Sequence, residues 1–175
     1  MRAASSAVRP EPVAQPEAEV DRWRVVLPFL IGPIMIVAAT LSWAMEHGTQ
    51  GLATAILRNS LVYGVGVGGV VAALVHALRA DRAGRSGADG AQGPFEFEVA
   101  MAHLGLGVLG LSCAWQGGGF WAATIAMTAV FGLGSAVGHV REIVDRRHGA
   151  KPADGFVVVW EMLLPAGLIA LAISS

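Results

Sequence analysis

Cysteine, tyrosine and charge are scarce in this chain. Cys113 is the only cysteine among 175 residues, so no internal disulfide can form, and within an apolar block it reads as a small packed hydrophobe. Charged residues make up 14% of the chain, against roughly 25% in an ordinary soluble domain. The formal net charge of −1 gives no general attraction to nucleic acid. Complete catalytic and cofactor motifs are absent too: there is no H-E-x-x-H, no G-x-S-x-G and no phosphate loop. An enzyme is therefore the weakest of the function classes considered. A secretory signal is not seen either. Met1 to Arg24 is polar, contains Pro10, Pro12 and Pro16, and holds Glu11, Glu17, Glu19 and Asp21. It reads as a disordered tail leading into the first apolar block.

Apolar residues are abundant, at 54% of the chain, and they come in long runs such as 25–44, 61–75 and 99–114. A helix on a soluble core carries a polar stripe, and these runs have almost none. Blocks of about 18 or more apolar residues match a hydrocarbon layer roughly 30 Å thick. The fold expected is all-α, an integral membrane bundle of five transmembrane helices. After a tail over 1–24, a single domain over 25–175 holds spans near 25–45, 54–78, 95–114, 120–140 and 156–173. Pro28 and Pro33 should bend the first span. Residues 81–94, rich in Gly, Ala, Arg and Asp, read as a mobile linker. The turn over 115–119 is so short that the third and fourth helices should be antiparallel neighbours.

The basic residues orient this bundle. Arg2, Arg9, Arg22 and Arg24 precede the first span; Arg79, Arg82 and Arg85 follow the second; Arg141, Arg146, Arg147 and Lys151 follow the fourth. With five spans these eleven of the twelve basic residues fall on one side, which the positive-inside rule makes cytoplasmic. The N-terminus is then cytoplasmic, and the membrane expected is the bacterial cytoplasmic (inner) membrane. Arg58 alone lies toward the other face, where it can snorkel. Trp23, Trp43, Trp115 and Trp121 fall near span ends, at headgroup level, with Trp160 slightly deeper.

Two stretches match G-x-G-x-x-G: Gly64, Gly66, Gly69, and Gly105, Gly107, Gly110. Neither follows a strand or opens a helix, as a dinucleotide fingerprint must. Small residues let helix backbones approach in lipid, so these glycines read as packing faces, as do the pairs Gly64/Gly68 and Gly134/Gly138. The partners expected are the lipid bilayer and a second copy or membrane partner held through such faces.

The ionisable residues inside the spans are more informative, because insertion of one costs roughly 2.5–3.5 kcal/mol at a helix centre. Glu96, Glu98 and His103 belong to the third span, His139 and Glu142 end the fourth, Glu161 lies in the fifth and His76 ends the second. At about 1.5 Å per residue, His103 is about 12 Å past Phe95 and Glu161 about 7 Å past Phe156. All belong to the cytoplasmic half. His139 and Glu142, three apart, share a helix face. A pocket of His103, His139, Glu142 and Glu161 is expected as a metal site, with Glu96 and Glu98 at its mouth. Mixed His and carboxylate ligands from facing helices suit zinc, iron or manganese. Plainer accounts stand beside this one. Glu96, Glu98 and Glu142 near the interface can be solvated or paired with Arg141, Arg146 or Arg147, and His103 can bond to a neighbouring helix. Glu161, flanked by apolar residues over 157–160 and 162–164, is hardest to explain in that way. Pro165 would free a backbone carbonyl near the same depth.

Phe95-Glu96-Phe97-Glu98, the run from His103 to Gly110, Gly138-His139-Val-Arg-Glu142 and Glu161-Met-Leu-Leu-Pro165 are the segments by which 95–173 resembles a family of small multi-pass bacterial membrane proteins of unassigned function. The first two spans look individual. The resemblance implies a membrane protein and brings no activity with it. Function is expected to be small-solute, proton or metal-ion handling through the His and Glu cluster. An accessory or structural subunit ranks next, and a membrane-embedded metal-dependent enzyme last.

Overall fold

The computed structural model describes residues 17–86, 92–145 and 152–174, and all of its regular structure is helical. Helix α1 is Glu17–His47. Helix α2 is continuous through Leu52–Asn59, a π-helical segment Ser60–Val67, and Gly68–Ser86. Helices α3 (Gln92–Ser112), α4 (Gly119–Asp145) and α5 (Pro152–Ser174) complete the bundle. Each expected apolar block is thus a helix. Four hold stretches long and apolar enough to cross a membrane: Leu30–His47, Leu52–Asp81, Gly93–Ser112 and Gly119–Arg141. Among the described residues the apolar stretch of α5, Val158–Ser174, is shorter.

Several boundaries differ from expectation. Helix α1 begins at Glu17, within the segment read as a disordered tail, where five of the eight residues over 17–24 are good helix formers leading into the apolar block. It continues through Pro28 and Pro33. Helix α2 extends to Ser86 and α3 starts at Gln92, so most of the expected linker 81–94 is helical. Only residues 87–91 of it lie outside the described residues, as do residues 1–16 of the tail.

The outer surface is apolar. Ile34, Val37, Leu41, Val130, Val137, Leu163 and Ile173 are each more than half exposed, a distribution suited to lipid and costly in water. The interior mixes large and small groups, with Leu61, Cys113, Thr124, Pro165 and Leu168 fully buried.

The closest packing joins α2 to α3, and the two glycine motifs make it possible. A Cβ on Gly69 would lie 2.7 Å from the Gly107 nitrogen, and one on Gly66 would lie 2.7 Å from the Leu111 nitrogen. One on Gly110 would strike the backbone of Gly66. Gly134 and Gly138, expected in the same role, have open space in front of them. Helices α3 and α4 are antiparallel neighbours held further apart by larger side chains. Cys113 Sγ reaches Thr124 Oγ1 at 3.6 Å, and the His103 and Phe131 rings meet edge to face at 4.8 Å. Polar ties fix the rest. Asn59 donates to Thr40 Oγ1 across α1 and α2, and Arg58 donates to the Ala114 carbonyl at 2.8 Å. Arg58 therefore satisfies a carbonyl just past the end of α3, a favourable place for a cation.

Candidate functional site in the centre of the bundle

Helix α4 carries a stripe of polar and small residues. Thr124, Thr128, Gly132, Ser135, His139 and Glu142 follow one another at three- and four-residue steps, which places them on one helix face. Thr124 to Glu142 is about 27 Å of helix at about 1.5 Å per residue, close to the roughly 30 Å hydrocarbon thickness. Thr124 and Thr128 are buried, and their hydroxyls donate to the carbonyls of Phe120 and Thr124. Thr124 Oγ1 also accepts from Cys113 Sγ, and a hydroxyl that donates keeps acceptor capacity.

Glu161 of α5 meets this stripe. Ser135 Oγ donates to Glu161 Oε1 at 2.7 Å, and His139 Nε2 lies 3.8 Å from the same oxygen, an ion pair whenever the imidazole is protonated. The second oxygen, Oε2, is buried and has no hydrogen-bond partner among the described residues. Pro165 explains part of the local geometry. Lacking an N–H, it leaves the Glu161 carbonyl without its usual helical donor. Gly132 lets α4 come against that carbonyl, since a Cβ there would lie 2.9 Å from it.

A cavity of about 90 Å³ opens at this level, and all five helices line it. Gly32 and Pro33 come from α1, Gly64 and Ala72 from α2, and His103 and Leu106 from α3. Thr128, Phe131 and Gly132 of α4 face Trp160, Glu161 and Leu164 of α5 across it. Much of the α2 wall belongs to or adjoins the π-helical segment. Such segments occur disproportionately at functional sites.

His103, Glu96 and His76 form a second group beside the cavity. His76 Nδ1 and Glu96 Oε2 are 2.6 Å apart, a short charge-assisted hydrogen bond that His76 donates to the carboxylate. The His76 ring stacks on that of His103, with centroids 5.2 Å apart and planes 10° from parallel.

The expected residues thus divide. Glu161 and His139 meet directly, His103 joins Glu161 in lining the cavity, and Glu96 pairs with His76. Glu98 is exposed. The side chain of Glu142 lies outside the described residues, and among those described no three His, Cys, Asp or Glu groups converge as metal ligands. Sequence reasoning passed over Ser135, Thr128 and Trp160 and left His76 out of the pocket. The spacing of the α4 stripe held a signal for the first two.

Among comparisons with known proteins, one family model matches, the Family of unknown function (DUF6790), over residues 25–175. The match includes the first two helices, which had looked individual. No curated protein and no solved structure matches.

Proposed function

Since the chain belongs to the DUF6790 family, whose function is unknown, its activity has to be read from its own residues, and we propose that it passes a small solute or proton across a membrane through the central cavity. The observation that carries this is Glu161, a carboxylate with a buried, unpartnered oxygen, set in a cavity to which every helix contributes. Ionisable groups facing a bundle interior are costly and mark solute pathways and proton relays. The stripe on α4, about as long as the hydrocarbon core is thick, supplies polar groups along the same axis. Glu161 is the principal binding acid, His139 and Ser135 hold it, and His103 with the His76–Glu96 pair forms the flank toward the basic end of the bundle.

Protein reconstituted in sealed liposomes tests this by its current on a solid-supported membrane after a pH step or a solute jump. The native chain should give a current above empty liposomes, and Glu161→Gln should remove at least nine-tenths of it. Equal currents with native protein, variant and empty liposomes would sink the transport reading and move the accessory-subunit reading to first place.

A bound metal is the second reading. It is favoured by the approach of His139 to Glu161 and by Glu142 three residues beyond His139. Elemental mass spectrometry of chelator-free protein checks it. Stoichiometric zinc, iron or manganese, lost in a Glu161→Ala/His139→Ala variant, would establish the metal; its absence would leave the proton or solute reading alone.

A further inference from the structure

The walls of the central cavity restrict what it can hold, and the step taken here rests on reading that cavity as a solute site. Size is the first restriction. About 90 Å³ is less than the roughly 150 Å³ of an apolar cavity that takes benzene, and well above the roughly 10–15 Å³ that one water needs. A molecule of about three or four heavy atoms suits it on that scale.

Charge is the second. Glu161 Oε1 is engaged by Ser135 and faced by His139, while Oε2 is buried without a donor. A buried acceptor of this kind is costly until a donor reaches it, and a carboxylate favours a donor that is positively charged. An anion would be repelled by the same group. Trp160 and Phe131 line the cavity with Glu161, and the faces of such rings attract cations, most strongly where water is excluded. Leu106, Leu164 and Pro165 supply apolar wall for a short alkyl group.

We propose that the cavity binds a small organic cation bearing N–H donors, of the primary alkylammonium class, with the Glu161 carboxylate accepting from the ammonium group beside Trp160 and Phe131. The lining gives each part of such a molecule a counterpart: a carboxylate for the head, aromatic side chains for its charge, apolar surface for its tail.

The test compares three probes of nearly equal size on the full-length protein in detergent, at constant ionic strength: ethylammonium, ethanol and acetate. Saturation-transfer NMR with competition yields their dissociation constants. Ethylammonium should bind saturably and at least ten-fold tighter than either other probe. Glu161→Gln should weaken it at least ten-fold, while Glu46→Gln, at an exposed position outside the cavity wall, should not change it. The ranking on the unmodified chain decides even if the Glu161 variant fails to fold. Ethanol or acetate binding as tightly as ethylammonium would overturn the proposal, as would undiminished binding by a folded Glu161→Gln protein. Failure here separates from failure of the transport reading. A current that depends on Glu161 with no preference for ethylammonium sinks only the cation proposal, whereas specific cation binding without any current sinks only transport.

Discussion

At the scale of single residues, Glu161 depends on one hydroxyl. Ser135 is its one hydrogen-bond donor among the described residues, and His139 at 3.8 Å is too far to replace it. Removing one partner of a buried polar pair costs about 1–3 kcal/mol. Ser135→Ala should therefore destabilise the protein by about 1 kcal/mol, which for a chain of this size lowers the melting temperature by about 2–4 °C. It should also reduce the transport current, and Ser135→Thr should restore most of both. A thermal melt in detergent read beside the current checks this; an unchanged melt and current would show that Ser135 does not hold Glu161. The two residues differed in legibility. An acid flanked on both sides by apolar residues stands out in any reading of the chain. Serine and threonine are ordinary in membrane helices, where their hydroxyls bond back to carbonyls one turn earlier. Only the three- and four-residue spacing from Thr124 to Glu142 distinguishes these, and the tertiary partner of Ser135 lies 26 residues away, beyond what local spacing encodes.

At the scale of elements, the seam between α2 and α3 sets how far apart the cavity walls stand. Lipid offers little hydrophobic drive for helices to associate, so close backbone contact has to supply it. Gly110 lies against the Gly66 backbone, and Gly105, on the same helix, faces open space. The same substitution should then have opposite effects at the two positions. Gly110→Ala must push α2 and α3 apart, at a cost of about 1–3 kcal/mol or more. Gly105→Ala relieves the entropic weakness of glycine in a helix and should be neutral or gain about 0.5–1 kcal/mol. Melting of the two variants in one detergent measures the contrast, and equal effects would refute the seam. The motifs that form it were readable as packing faces, since small residues at fixed spacing have few other uses in a membrane helix. Which glycines face inward was not readable. Gly134 and Gly138 have the spacing of a seam but point away from the chain's own helices, because the interior face of α4 is taken by the stripe running through Ser135 and His139. The π-helical segment of α2 was also illegible, since it depends on hydrogen-bond register and not on composition.

At the scale of the whole molecule, the open question is how many helices cross the membrane. Among the described residues helix α5 has the shortest apolar stretch, yet its packing argues for a crossing. Its 23 residues extend about 34 Å at about 1.5 Å each. Leu168, at 1% exposure, joins the core cluster with Leu61 of α2 and Cys113 at the end of α3. Glu161 meets Ser135 at the level of the central cavity, and about 10 Å further along α5 Leu168 joins the cluster that holds Leu57 and Cys113, toward the end where α2 begins and α3 stops, so α5 extends from the cavity to that end of the bundle. Single cysteines placed in a Cys113→Ser background decide the matter. A membrane-impermeant maleimide added to sealed right-side-out vesicles should label Thr49→Cys and Gln116→Cys in the outer turns. Ser86→Cys and Ala150→Cys, beside the basic clusters, should react only after permeabilisation, as the positive-inside rule requires. Ser174→Cys is the decisive position: five crossings put it outside and labelled, whereas four leave it protected with Ala150→Cys. A protected Ser174→Cys would mean that α5 turns back inside the bilayer, which would close the cavity's wall without completing a path across it, and the transport reading would fall with the fifth crossing.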